Sequence, residues 1–197
     1  MKGIRASLVV LLGMCLFAGE AGAFSVSYDQ KVTRGKDVFV SQVTVRDELF
    51  RIEVTMAGET SVTLLNRDGI YTYLPSTGMA MRLPKNAESP RPVEHADNYS
   101  AYLKERNAER IGSKTIDGHA CDVYQFTDPA IHGTTKAWVW KEKAFPLQLE
   151  MDGSDGKTLV QISNIQLGVP VPDTAFQLPP GVQVMDVGSS MMGMPQR

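Results

Sequence analysis

The chain has 197 residues, 43% of them hydrophobic, with 20 Lys and Arg against 22 Asp and Glu for a formal net charge of −2. Mixed charges with a slight acidic excess leave no electrostatic footprint for nucleic acid or for an anionic membrane surface, so no nucleic-acid partner is expected. Two cysteines rule out a disulfide-dense scaffold, and the length suits one domain burying about 70% of its unfolded surface.

The first segment is not expected to be part of the fold. Lys2 and Arg5 precede "SLVVLLGMCLFAG", an apolar run too short to span a bilayer, and Ala21-Gly22-Ala23 has the form of a cleavage site. Residues 1–23 therefore read as a cleaved secretory signal peptide, and a periplasmic location is expected, with no transmembrane segment in the mature chain. Anchoring as a lipoprotein at Cys15 is disfavoured, because Met14 is bulky for the position before such a cysteine. Losing Lys2, Arg5 and Glu20 with the signal leaves 174 residues, 18 basic and 21 acidic. Cys121 is then the sole cysteine, and its place in an alternating strand reads as a small buried hydrophobe.

From Phe24 onward, glycine turns recur: Arg34-Gly35, Ala57-Gly58, Asp68-Gly69, Thr77-Gly78, Asp117-Gly118, His132-Gly133, and "DGSDG" at 152–156. Segments rich in Val, Ile, Thr, Tyr and Phe lie between them, which predicts successive antiparallel strands. The expected strands are 24–31, 36–46, 49–57, 60–67, 69–74, 78–83, 114–127, 133–141, 145–152 and 157–167. "PKNAESPRP" (84–92) breaks the rhythm as a proline-rich loop. Beyond it Tyr99, Tyr102, Leu103, Arg106 and Arg110 fall on one helical stripe, with Gly112 as the stop. A lone helix in a meander of strands must rest on a sheet face. "VPVPDTAFQLPPG" (169–181) should run extended along an edge or over the surface, since its prolines cannot donate to a ladder. The unpatterned tail 187–197 is expected to be disordered.

Several strands are apolar on both faces. In "KAWVW", Ala137 and Val139 take one side while Trp138 and Trp140 take the other. "IYTYL" sets Tyr71 and Tyr73 against Ile70 and Leu74, and "CDVYQF" sets Cys121 and Val123 against Tyr124 and Phe126. By contrast "LFRIEVTM" alternates, with Phe50, Ile52, Val54 and Met56 on one side. An antiparallel sheet usually keeps one face wet. Each large aromatic ring buries about 150–250 Å², worth roughly 4–6 kcal/mol as an upper estimate. The second face must therefore be covered by curvature, a helix, a partner or an apolar ligand. The expected fold is mainly β with a helix: a strongly curved antiparallel sheet, or half-open β-barrel, with a helical lid.

Four segments carry a resemblance: "DELFRIEV" (47–54), "GHACDVYQF" (118–126), "TTKAWVWKEKAFPLQLEM" (134–151) and "VQISNIQLGVPVPDTAFQLPPGVQV" (160–184). Their order and spacing over residues 24–186 resemble the LolA-like superfamily of periplasmic lipoprotein carriers and its shorter relatives. The resemblance implies an unclosed barrel capped by helices that shelters acyl chains. In the carrier an arginine ahead of a "P-N-L-F" strand start bonds to the lid helices. The matching position is Arg46 in "RDELF", where the proline is missing, and Arg51 is the alternative. The resemblance thus implies a lid-closing role for Arg46.

Sequence motifs for catalysis are lacking. His95, His119 and His132 do not form the paired spacings of a zinc site, although His119 and Cys121 share a strand face. No nucleophile elbow, H-E-x-x-H, phosphate loop or dinucleotide glycine pattern occurs. No enzymatic activity, cofactor or metal is expected. The expected function is a periplasmic carrier or sensor of an apolar ligand, a lipid or lipoprotein acyl chain. Its expected lining is Phe50, Ile52, Val54, Tyr71, Tyr73, Trp138 and Trp140, with Tyr99, Tyr102 and Leu103 on the lid. The alternative is a periplasmic protein-interaction module, with possible membrane-protein partners, in which the apolar surplus is an interface. A small outer-membrane barrel fits poorly, because the end "GMPQR" lacks an aromatic strand terminus and Arg51 and Glu53 would break the lipid-facing band.

Overall fold

The structure is a computed structural model that describes residues 24–56, 58–84, 99–129, 131–154 and 156–186. The expected signal peptide, the tail 187–197 and most of the proline-rich loop lie outside the described residues. A first meander comprises β1 (Ser25–Arg34), β2 (Asp37–Arg46), β3 (Leu49–Met56), β4 (Glu59–Asn66), β5 (Gly69–Leu74) and β6 (Met79–Arg82). Helix α1 (Tyr99–Glu105) leads to a second: β7 (Glu109–Ile116), β8 (His119–Asp128), β9 (Gly133–Trp140), β10 (Phe145–Gly153) and β11 (Gly156–Leu167). A 3₁₀ turn (Asp173–Phe176) and the short β12 (Gln183–Asp186) follow.

These strands make one curved, open sheet in the order β12-β6-β5-β4-β3-β2-β1-β11-β10-β9-β8-β7. β1 joins the two meanders by pairing antiparallel with both β2 and β11. β12 alone runs parallel to its neighbour, β6. The sheet does not close into a barrel.

Besides the longer β1 and the unexpected β12, two departures from expectation concern the region between the meanders. The helix ends at Glu105 rather than near Gly112, and Arg110 belongs to β7. Asn107, at φ 50°, is the reason. The Ala108 N–H donates to Leu103 O and the Asn107 N–H to Lys104 O, a Schellman cap with asparagine in the left-handed position. Ala108 also packs with the cluster that contains Leu103, the apolar contact that accompanies such a cap. Second, the strand expected at 114–127 is a hairpin, β7–β8. Asp117 (φ 46°) and Gly118 (φ 81°) both take positive φ, the signature of a tight type I′ turn.

Residues directly opposed in an antiparallel ladder share a face, so the pairings sort every strand. One face carries Phe50, Ile52 and Val54, opposed to Leu65, Thr63 and Ser61 of β4. It continues through Val43 and Tyr28 in β2 and β1, and through Val160, Leu149 and Ala137 further along. Helix α1 packs on this face, which is called the helix face. Tyr99, Tyr102 and Leu103 bury themselves against Phe126, Ala137 and Val139. The Tyr102 and Phe126 rings meet edge-on at 5.7 Å. The opposite, strap face is covered over β3 to β5 by the C-terminal segment.

The main core gathers Val26, Tyr28 and Val43, Val160 and Ile162, Phe145 and Leu147, and Cys121, Val123 and Trp138. It thus reaches from β2 to β8, five places apart in the sheet order β2-β1-β11-β10-β9-β8. At ~4.8 Å per strand a flat sheet would spread those residues over more than 20 Å, so strong curvature is required. Register breaks in β10 between Pro146 and Gln148, and in β1 between Ser27 and Asp29, supply extra local twist. Gly133 shows how tightly the β9–β10 end is drawn: a Cβ there would stand 2.0 Å from Asp152 O.

Candidate functional site

The expected lining residues separate into distinct places. Phe50, Ile52 and Val54 lie together on the helix face. Tyr71 and Tyr73 do not join them. Tyr71 opposes Leu64 and Tyr73 opposes Val62, and both pairs belong to the strap face. There Val62, Leu64 and Tyr71 form a small core with Tyr73 and Leu178 against it. Trp138 is also elsewhere: it is 7% exposed, opposes Val123, and is locked in the main core. Trp140 is half-buried and stacks on the His119 imidazole at 4.1 Å. Tyr99, Tyr102 and Leu103 sit on α1 as expected, facing β8 and β9.

So the greasy second faces have several different causes. In β8 and β9 one side meets the helix and the other the main core. In β4 and β5 the C-terminal strap supplies the cover.

Arg46 belongs to that strap and not to the helix. Its guanidinium donates to Val171 O at 2.5 Å and pairs with Asp173, and it lies over the Phe176 ring at 5.3 Å. Arg51, the alternative, donates to Ala175 O at 3.4 Å, and the Asn66 amide donates to Phe176 O at 3.0 Å. Among the described residues, then, both arginines hold the C-terminal segment. The physical reason is register: Arg46, Arg51 and Leu64 share the strap face, away from α1. The segment expected to run extended or over the surface does the latter, and then adds β12, whose Gln183 N–H donates to Gly78 O.

Among the described residues, what remains uncovered on the helix face lies toward β6. The pairings place Leu74, Met79 and Met81, along with the buried Ile70, beside Leu65 and Thr63, with Met56 at the end of β3 and Met185 opposite Met81. Met56 is 54% exposed, Met185 46% and Met81 38%. Sequence reading singled out Met56 as part of the Phe50 stripe and missed the other methionines, because "GMAMR" and "QVMD" are too short to show a period.

A hollow of about 710 Å³ opens on the strap face of β1, β2, β3 and β11 and is bounded on its far side by His119 of β8. It is polar. Gln42, Thr44, Arg51, Glu53, Asp29 and Gln166 contribute to its wall. The Arg51 Nε donates to Glu53 at 2.5 Å and the Asn164 amide to Asp29 at 2.6 Å. Asn164 is set by its positive φ of 53° at the register break.

Among the described residues, the buried hydroxyls of Tyr28, Tyr99 and Thr135 have no hydrogen-bond partner. Burial pushes both tyrosine hydroxyls far above the usual phenol range, helped at Tyr99 by the neighbouring Tyr102 and Asp128. Cys121 is fully buried, and burial raises its thiol as well, so it is not poised as a nucleophile. Among the described residues no group of three or more His, Cys, Asp or Glu is placed to hold a metal ion. No helix among them is long and apolar enough to cross a membrane.

No protein-family model matches the chain, and no curated protein matches it. Solved structures do share its fold. An uncharacterized conserved protein from Thermus thermophilus aligns over 84% of this chain and 91% of its own, with a TM-score of 0.59 and 14% identity. The Mycobacterium tuberculosis lipoprotein LppX aligns over 77% and 90%, with a TM-score of 0.50 and 16% identity. A LolA superfamily protein from Nitrosomonas europaea aligns over 79% and 90% at 15% identity, but its TM-score of 0.37 is too low to carry an argument. The half-open sheet implied by the resemblance to LolA-like proteins is present, and the relation is one of fold.

Proposed function

We propose that the chain is a periplasmic carrier or sensor that shelters an apolar ligand, such as a lipid or a lipoprotein acyl chain, against the helix face of β3 to β6. One observation carries this reading. Half-buried Ile52, Val54, Leu74 and Met79 share one face with the buried Phe50 and Ile70, while Met56, Met81 and Met185, 54%, 38% and 46% exposed, stand beside them. Methionine side chains are unbranched and polarizable, and suit a surface that must adapt to a flexible chain. An apolar patch of this kind marks a binding surface when it persists in a water-soluble domain. The part of the expected lining that supports the reading is Ile52 and Val54; Phe50 shares their face and is buried, 3% exposed. Tyr71, Tyr73 and Trp138 are occupied by the strap and the core.

The test is direct. The mature protein is extracted with organic solvent and the extract analysed by mass spectrometry, while a fluorescent fatty acid is titrated in parallel. Met56→Lys with Met81→Lys should weaken fatty-acid binding about tenfold or more without lowering Tm. Neither co-purified lipid nor saturable fatty-acid binding would overturn the proposal.

A protein-interaction module is the second reading, favoured by Val38 and Val40. These are 52% and 54% exposed on the strap face of β2, beyond the reach of the patch described above. Concentration-dependent self-association lost in Val38→Lys/Val40→Lys would support it.

A further inference from the structure

We propose that the hollow on the strap face is a binding site for a neutral, hydroxyl-rich ligand, that is, a saccharide. It is separate from the apolar patch, because ladder register places the two on opposite faces of β3: Arg51 and Glu53 point into the hollow, Ile52 and Val54 to the other side.

Size comes first. At about 710 Å³ the hollow falls within the range of small-molecule sites. Chemistry narrows the class. Gln42, Thr44 and Gln166 are groups that both donate and accept, and each hydroxyl of a sugar needs that combination. Both carboxylates already have a partner, Glu53 an ion pair with Arg51 and Asp29 a hydrogen bond from the Asn164 amide. Each keeps lone pairs free to accept from a ligand hydroxyl. An anionic ligand is disfavoured, since it would meet both carboxylates while the guanidinium of Arg51 is shared between Glu53 and Ala175 O. An acyl chain is disfavoured because it would strip water from these polar groups without replacing their hydrogen bonds. On the far wall the His119 ring is held against Trp140, giving the hollow one aromatic surface beside its hydrogen-bonding groups.

Isothermal titration of the full mature chain with maltose, trehalose and chitobiose tests the assignment. Saturable heat at millimolar concentration is expected for at least one of the three. Gln42→Ala with Gln166→Ala should weaken that binding about tenfold or more at unchanged Tm, as both side chains are exposed. Absence of saturable binding for all three sugars overturns the proposal. Binding that is indifferent to the double variant, or stronger binding of inorganic phosphate, does so equally. Fatty-acid binding measured on the same samples separates this outcome from the apolar-ligand reading, since Gln42→Ala/Gln166→Ala leaves the opposite face intact.

Discussion

Arg46 lies 5.3 Å above the ring of Phe176, joining the end of β2 to the 3₁₀ turn of the C-terminal strap. Phe176 is 1% exposed, so the strap is part of the packed domain and not a trailing end. Phe176→Ala should cost about 3–5 kcal/mol in urea denaturation, the usual range for a buried phenylalanine. Arg46→Gln should cost less, about 1 kcal/mol, because a partly exposed cation–π and ion-pair contact contributes modestly. A loss below about 1 kcal/mol for Phe176→Ala would mean that the strap detaches before the sheet unfolds.

Beneath α1 the Tyr99 hydroxyl is buried without a partner. A polar group left in that state costs about 1–3 kcal/mol. Tyr99→Phe keeps the ring contact with Tyr102, at 5.4 Å, and removes the group that is penalised. The variant should gain about 1 kcal/mol of stability. A clear loss would indicate an ordered water bonded to the hydroxyl.

Alkaline titration should report the same burial. Tyr28 and Tyr99 are raised above the ordinary value of 10.0, chiefly by desolvation. Below pH 10 both states keep these protons and the shift has no effect on stability; above it the unfolded state releases them first, so stability declines as pH rises further. Tyrosinate absorbance should therefore show two of the six tyrosines ionising only together with unfolding, seen as loss of far-UV dichroism. Six tyrosines titrating smoothly in a folded protein would contradict this.

At the other end of the pH scale, Asp122 takes a hydrogen bond at 2.8 Å from Arg110 and lies 3.2 Å from Lys141. The Arg110 bond, with Lys141 adding to it, holds its carboxyl below the ordinary 3.8. A depressed acid contributes stability above its unfolded value, and that contribution is lost as pH falls through the folded one. The site is solvated, so the effect should be small and salt-sensitive. Asp122→Asn should lower Tm slightly at pH 7 in dilute buffer and leave it unchanged near pH 2. Equal shifts at both pH values would assign the loss to packing instead.

Part of the candidate site was legible in the primary structure. The alternation of "LFRIEV" identified Phe50, Ile52 and Val54 as one stripe, and "KAWVW" correctly announced two apolar faces. Tyr71 and Tyr73 could be placed on one side of β5, but not on which side of the whole sheet. That depended on two successive ladder registers from β3, each of which a one-residue slip would invert. Asn107 carried a usable signal for the helix end, overridden in reading by the longer stripe running to Arg110. The polar hollow left no local trace, because Gln42 and Gln166 reach the same wall from opposite ends of the chain.

The amino-acid sequence alone determined most of the strands and turns and the need to cover apolar rings twice, because side-chain alternation and positive-φ turn residues are local properties. Only the tertiary structure decided what does the covering: helix α1 for β8 and β9, the C-terminal strap for β4 and β5, and the curled core for Trp138. Those choices depend on register, bulges and curvature accumulated across twelve strands, and no window of sequence contains that sum.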